Sequence, residues 1–229
     1  MTKTRIKFTW KFQDNTDLEE FIDAFEDKMR LFYLEAVESI VKLKHLQGRV
    51  LEIGSGYGHL AMTLCSRAEF PSIVGLEQSK VMIKTAEIIT ARHSLNERIT
   101  YRLWDGETLP FGENEFDAVV SFLSLHRWPN PEKTFAEIER VRKSNSIAFI
   151  SDFRRNQSTL AFHWFNIQNR LGNGKSVADI LSDSLKASYT PAEIDELAGK
   201  SGLSNYKVDE SGMWLRLSCA EKIAIVQSA

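Results

Sequence analysis

The chain has 229 residues, 43% of them hydrophobic, enough to bury the core of one good-sized domain. Lys and Arg number 29 against 31 Asp and Glu, and the net charge of −2 gives no general electrostatic reason to bind nucleic acid or an anionic membrane. Two cysteines, Cys65 and Cys219, are too few for a disulfide framework or a cysteine metal site, and no stretch approaches the roughly 20 apolar residues of a membrane span, so the expectation is a soluble cytoplasmic protein.

In chain order, "RIKFTWKF" sets Ile6, Phe8, Trp10 and Phe12 on one face and reads as a strand or extended arm, packing on its own domain or on a second copy as a homodimer contact. Asn15 to Leu46 reads as one long or two shorter helices, with Thr16 and Glu19 as a capping box and Leu18, Phe21, Ile22, Phe25 and Met29 as an apolar stripe. Residues 1–48 thus form an N-terminal arm and helical extension to a domain of residues 49–229. Strands are expected at Arg49 to Gly54, Ser72 to Glu77, Arg98 to Leu103, Asp117 to Phe122 and Ser146 to Ser151, with helical segments between most of them. Such alternation predicts a doubly wound, mainly parallel sheet that takes its ligand at the carboxyl ends of the strands. Gln157 to Leu171 and Ser176 to Ala187 read as helices of an insertion at about 153–187, a candidate lid. In "YTPAEIDELAGKSGL" Thr190 caps a helix, Pro191 fills its first turn and Glu193 closes a capping box. Two last strands follow near Asn205 to Asp209 and Trp214 to Ile223.

The stretch "VLEIGSGYGHLA" puts Gly54, Gly56 and Gly58 between the first strand and a helix from His59. Glycine there permits left-handed backbone and close approach of a ligand, and a helix N-terminus attracts negative charge. A nucleotide-like ligand is the reading. The dinucleotide spacing G-x-G-x-x-G would need glycine at position 59, where this chain has His59.

With Glu52 ahead of it, "EIGSGYG" instead resembles the E/D-x-G-x-G-x-G signature of class I S-adenosylmethionine-dependent methyltransferases. Further features fall in that family's order: Glu77 closing "SIVGLE", Asp105 in "WDGETLPF", and "FDAVVSFLSLHRWPNPEKTFAEIERV" like the fourth strand, ligand-facing loop and next helix of the small-molecule, methyltransferase 11-like branch. The resemblance covers residues 49–152. It implies a seven-stranded sheet with an antiparallel C-terminal hairpin, and S-adenosyl-L-methionine held by Glu52, Gly54, Ser55, Gly56, Gly58, Glu77, Gln78, Trp104, Asp105, Gly106 and Ser121. In it, Glu77 would accept from the ribose hydroxyls and Asp105 from the adenine amino group. One departure is "RKSNS" at 142–146, where the family has a glycine turn; Asn145 can supply the left-handed backbone instead.

Methyl transfer from a sulfonium needs alignment more than dedicated catalytic groups. Ser121-Phe122-Leu123-Ser124 is not the Asp/Asn-Pro-Pro-aromatic element that holds an exocyclic amine of a nucleic-acid base, and neither cysteine follows a proline as a pyrimidine nucleophile would. No acidic group at the strand ends calls for a metal. A small-molecule acceptor remains, with His126 as candidate general base and Arg127, Trp128, Arg154 and Arg155 as candidate acceptor contacts. Trp128, Phe162, Trp164 and Phe165 suggest an apolar pocket. Alternatives are a tRNA or protein methyltransferase, whose positive rim would come from Arg102, Arg127, Arg154 and Arg155, or a non-catalytic cofactor-binding partner subunit.

Overall fold

A computed structural model describes residues 4–8, 15–43, 48–67, 72–158, 163–164, 167 and 178–219, with the side chains of 15–21 and 23–28 left aside. The strands are β1 (Arg49–Ile53), β2 (Ser72–Glu77), β3 (Ile99–Leu103), β4 (Phe116–Phe122), β5 (Arg142–Phe153), β6 (Tyr206–Ser211) and β7 (Trp214–Cys219). They form one sheet in the order β3-β2-β1-β4-β5-β7-β6, parallel through β5 and antiparallel at β7 and β6. Apolar residues occupy both parities of the central strands. Val50, Ile73, Ala118 and Ile147 join one core cluster, while their neighbours Leu51, Val74, Val119 and Ala148 join the other, as period-two side chains in a sheet covered on both faces must.

Helices α1 (Asn15–Leu43), α2 (His59–Arg67) and α3 (Lys80–Arg92), with helical residues 178–187 (α5), supply the first cluster through Val37, Ile40, Leu60, Leu64, Met82 and Leu181. Helices α4 (Pro131–Val141) and α6 (Pro191–Ser201) supply the second through Phe135, Ile138 and Ile194. The capping box is present: Thr190 Oγ1 accepts from Glu193 N (3.3 Å), and Glu193 Oε2 accepts from Thr190 N (2.7 Å). Of the α1 stripe, Ile22 and Met29 are buried. The Thr16–Glu19 box, the other stripe side chains, Trp10, Phe12, Phe162 and Phe165 lie outside the described side chains. Trp164 is exposed at 63%, so it serves neither core nor pocket.

The 142–146 departure resolves as a bulge. Arg142 pairs with Phe116 and Ile147 with Ala118, and the extra residues of β5 loop out between them with Asn145 at φ 65°. Asn145→Gly is therefore expected to keep or slightly raise the melting temperature, whereas Asn145→Val costs about 1–2 kcal/mol at this left-handed position. Thermal melts of the two variants check it.

Candidate functional site

The glycine loop runs from β1 into α2 at the carboxyl edge of the sheet. Its main chain is tied to β2, since the N–H groups of Gly54 and Ser55 both donate to Leu76 O (2.8 and 2.9 Å). All three glycines have positive φ, at 74°, 53° and 86°, but for different reasons. A Cβ on Gly54 would stand 2.3 Å from the Ser124 side chain, and one on Gly58 2.1 Å from the Tyr101 hydroxyl; one on Gly56 meets nothing within 4 Å. Two glycines thus admit protein neighbours, and the third faces open space.

Two pockets adjoin there, sharing Phe8, Gly54 and Arg127. The first is lined by Glu52, Ser55 and Gly56 on the loop side, and by Phe8, Tyr33, Phe122, Leu123, His126, Phe153, Ile180 and Leu181 opposite. The second is lined by Glu77, Gln78, Trp104, Ser124 and Trp128.

The Glu77 carboxylate, 4% exposed, accepts from the N–H groups of Gly56 (3.0 Å), Gln78 (2.8 Å) and Ser79 (3.0 Å), so it braces the loop as well as facing the second pocket. Glu52 is buried, and its Oε2 has no hydrogen-bond partner. Burial, reinforced by the charge of Glu77, pushes its carboxyl up to about 8. Ser55 Oγ is likewise buried without a partner.

The turn after β4, a short 3-10 segment over Leu125–Arg127, is held from behind. Ser121 Oγ and Ser124 Oγ both donate to Ile53 O (2.9 and 2.8 Å), and Leu123, 4% exposed, sits at φ 54°. A leucine in the left-handed region is strained backbone. His126 packs its Nδ1 against Asp152 (2.9 Å to Oδ2, 3.0 Å to Oδ1), and Asp152 Oδ2 also accepts from His126 N (2.8 Å). Burial lowers the imidazole's affinity for a second proton, outweighing the raising effect of Asp152.

The other sequence candidates bond within the fold or stand in turns of their own. Ser121 is fully buried under β1 and lines neither pocket, and Gly58 meets Tyr101 instead. Asp105 stands exposed in its own turn, Oδ1 accepting from Glu107 N (2.8 Å) and Thr108 N (3.2 Å); these bonds hold its carboxyl below the usual range. Gly106, at φ 90°, packs a tight turn against Pro129. Trp128 is buried on the second pocket, away from His126, with Nε1 donating to Ser124 Oγ (3.1 Å).

Neither Arg154 nor Arg155 lines either of these two pockets: Arg154 Nε donates to Gly212 O (2.6 Å) at the β6–β7 turn, and Arg155 is buried on Ser188 O (2.8 Å) and the Glu193 carboxylate. A carboxylate and carbonyls within the fold claim them first. Arg127 Nη2 donates to Leu123 O (2.8 Å), and the Arg102 guanidinium lies over the Phe111 ring, so each of these four arginines has a partner within the fold. Among the described residues no three His, Cys, Asp or Glu side chains cluster as a metal site, and no helix is long and apolar enough to cross a membrane.

Sequence reasoning missed Asp152, Phe8 and Tyr33. Asp152 alone had a local signal, as a carboxylate at the end of the strand beside the His126 turn.

A family model described as a methyltransferase domain matches residues 51–150. The chain is 23% identical over 146 residues to the uncharacterised methyltransferase YcgJ of Bacillus subtilis, covering 64% of this chain and 56% of that one. It is 31% identical over 115 residues to a phosphatidylethanolamine N-methyltransferase of Cereibacter sphaeroides, covering 50% and 55%. The chain spans about half the length of these curated relatives. Among solved structures, the plantazolicin methyltransferase BpumL in complex with SAH is similar with a TM-score of 0.71 at 14% identity over 92% of each chain, a likeness of fold.

Proposed function

Residues 51–150 of this chain belong to the methyltransferase-domain family, of the class I S-adenosylmethionine-dependent kind, and from that membership we propose that the protein transfers a methyl group from S-adenosylmethionine to a small organic acceptor. The observation that carries the reading is the open face of Gly56, flanked by the partnerless buried oxygens of Glu52 and Ser55: a cradle of bare backbone and unused acceptors. In this reading Glu77 accepts from the ribose hydroxyls with the acceptor capacity its three backbone bonds leave. Trp104 and Gln78 flank the base, and Gly54, Gly56, Ser55 and Glu52 take the amino-acid end.

The cofactor supplies an already activated methyl carbon. The chain's part is to exclude water with Phe8, Tyr33, Phe122 and Leu181 and to hold the acceptor in near-attack contact.

Calorimetry with S-adenosylmethionine, S-adenosylhomocysteine and a nicotinamide dinucleotide tests the reading. Binding of the first two is expected, and binding of the dinucleotide alone would sink it. Glu77→Ala is expected to weaken S-adenosylhomocysteine by about 1.5–3 kcal/mol, roughly ten- to a hundredfold, through lost charge-assisted bonds and a loosened loop. An unchanged Kd in a folded variant would remove Glu77 from the site.

A further inference from the structure

We infer that the acceptor is an uncharged molecule with a flat apolar body and an ionisable hydroxyl, whose proton passes to His126 while Asp152 positions the imidazole; the inference rests on the methyl-transfer reading above. The family model ends at residue 150, yet the pocket wall facing the glycine loop draws on Phe8, Tyr33, Phe153, Ile180 and Leu181, all outside the matched residues. Much of the surface proposed to read the acceptor therefore lies outside the matched residues. It is aromatic and aliphatic, and Arg127 is the only Lys or Arg among its described lining residues. Burying a phosphate or carboxylate against such a wall leaves most of its hydration unreplaced.

The polar side chains on this wall are Tyr33, His126, Arg127 and Ser184, and of these His126 alone carries a nitrogen lone pair able to take a proton. A carboxylate oxygen only accepts, so Nδ1 of His126 donates to Asp152 and Nε2 presents its lone pair to the pocket. Asp152 also accepts from the backbone N–H of His126 (2.8 Å) and of Phe153 (2.7 Å), which locks ring, turn and strand together. The N-terminal arm closes the other side. Arg5 donates to Ala187 O (2.7 Å) and His126 O (3.2 Å) and stacks on Tyr189, while Phe8 meets the imidazole edge-on at 5.1 Å.

The charged groups bearing on the ring are Asp152 from β5, which favours its protonation, and Arg127 and Arg5, which join burial in opposing it. The ring is consequently a neutral base at pH 7. In the step, the hydroxyl proton moves to Nε2 and an oxygen lone pair forms the new bond to the methyl carbon. The carbon–sulfur bond breaks with its electron pair left on sulfur, and the imidazolium later releases the proton to water.

Nitrogen NMR of the full chain, with His126→Gln to assign the signal, tests the base without cofactor. The Nδ1–H neutral tautomer is expected at pH 7, titrating below the ordinary histidine value, and Asp152→Asn is expected to move that titration lower still. A titration that Asp152→Asn leaves unmoved would remove Asp152 as the group that orients and tunes the ring, and an Nε2–H tautomer or an imidazolium at pH 7 would overturn the proposal. Should Asp152→Asn fail to fold, the wild-type tautomer decides.

Calorimetry at saturating S-adenosylhomocysteine tests the class. 1-Naphthol is expected to bind at least tenfold tighter than 1-naphthyl phosphate or 1-naphthylamine, and His126→Gln to erase the preference over the amine. Equal or tighter binding of either analogue, or no binding of the naphthol, overturns the class. Failure of S-adenosylhomocysteine itself to bind sinks the methyl-transfer reading instead, and the tautomer still reports on the His126–Asp152 pair.

Discussion

Gly56→Val abolishes cofactor binding, with a Kd for S-adenosylhomocysteine raised more than a hundredfold, while the protein still folds. A Cβ added here meets no atom within 4 Å beyond the adjoining residues, so the branched side chain grows into the space beside Glu52 and Ser55 where the ligand is proposed to lie. Folding is taxed only by a branched residue at φ 53°, about 1–2 kcal/mol, and the loop's bonds to Leu76 O and Glu77 remain available. Gly58→Ala is the counter-case. Its Cβ would press on a Tyr101 hydroxyl already bonded to Thr90 Oγ1 at 2.8 Å, so stability falls first. Calorimetry paired with thermal melts separates the two, and a Gly56→Val protein that binds within about tenfold of wild type would take the loop out of the site.

Glu52→Gln makes the protein more stable and its cofactor affinity weaker. Burial and the neighbouring Glu77 push the Glu52 carboxyl from 4.5 up to about 8, so the folded chain holds a proton there that the unfolded chain has lost. A folded value above the unfolded one gives stability that is complete below about 4.5 and is lost as pH rises through about 8, at about 1.4 kcal/mol per pH unit between them. Glutamine removes that slope, and its margin in melting temperature over wild type widens from pH 5 to pH 8. The cationic ends of S-adenosylmethionine prefer the ionised carboxylate, so wild-type affinity rises over the same window with release of a proton, and the variant's stays flat. Burial raises both Cys65 and Tyr101 above their ordinary values, and His126, which burial lowers, is common to wild type and variant and cancels in the comparison. Parallel pH profiles for wild type and variant, in melts or in calorimetry, would contradict this. A buried carboxylate that costs stability in the empty site is a cost retained for binding.

The sheet was legible because β-branched runs such as "VLEI" and "SIVGLE" end in glycine or polar turns; the strands centre where that pattern puts them, though β5 starts four residues early at Arg142 and positions 220–223 of the last expected strand lie outside the described residues. Thr190 with Glu193, and Asn145 with its left-handed backbone, were legible because caps and bulges depend on residues close in sequence. The glycine loop was legible as a strand-to-helix turn, though not that of its three glycines only Gly56 faces open space, since the neighbours of Gly54 and Gly58 come from Ser124 and Tyr101. The acceptor wall was largely illegible. Phe8, Tyr33 and Leu181 meet on one pocket wall from an arm and two helices far apart in sequence, and the bonds that hold the arginines after β5 on Glu193 and Gly212 O are equally long-range.

The most direct test of the account is a crystal structure with S-adenosylhomocysteine bound. The account predicts adenosine in the second pocket beside Glu77, Gln78 and Trp104, the amino-acid end against Gly56 and Glu52, and the sulfur turned toward the chamber of Phe8 and His126. Ligand bound elsewhere, or bound with its sulfur turned away from His126, would contradict it.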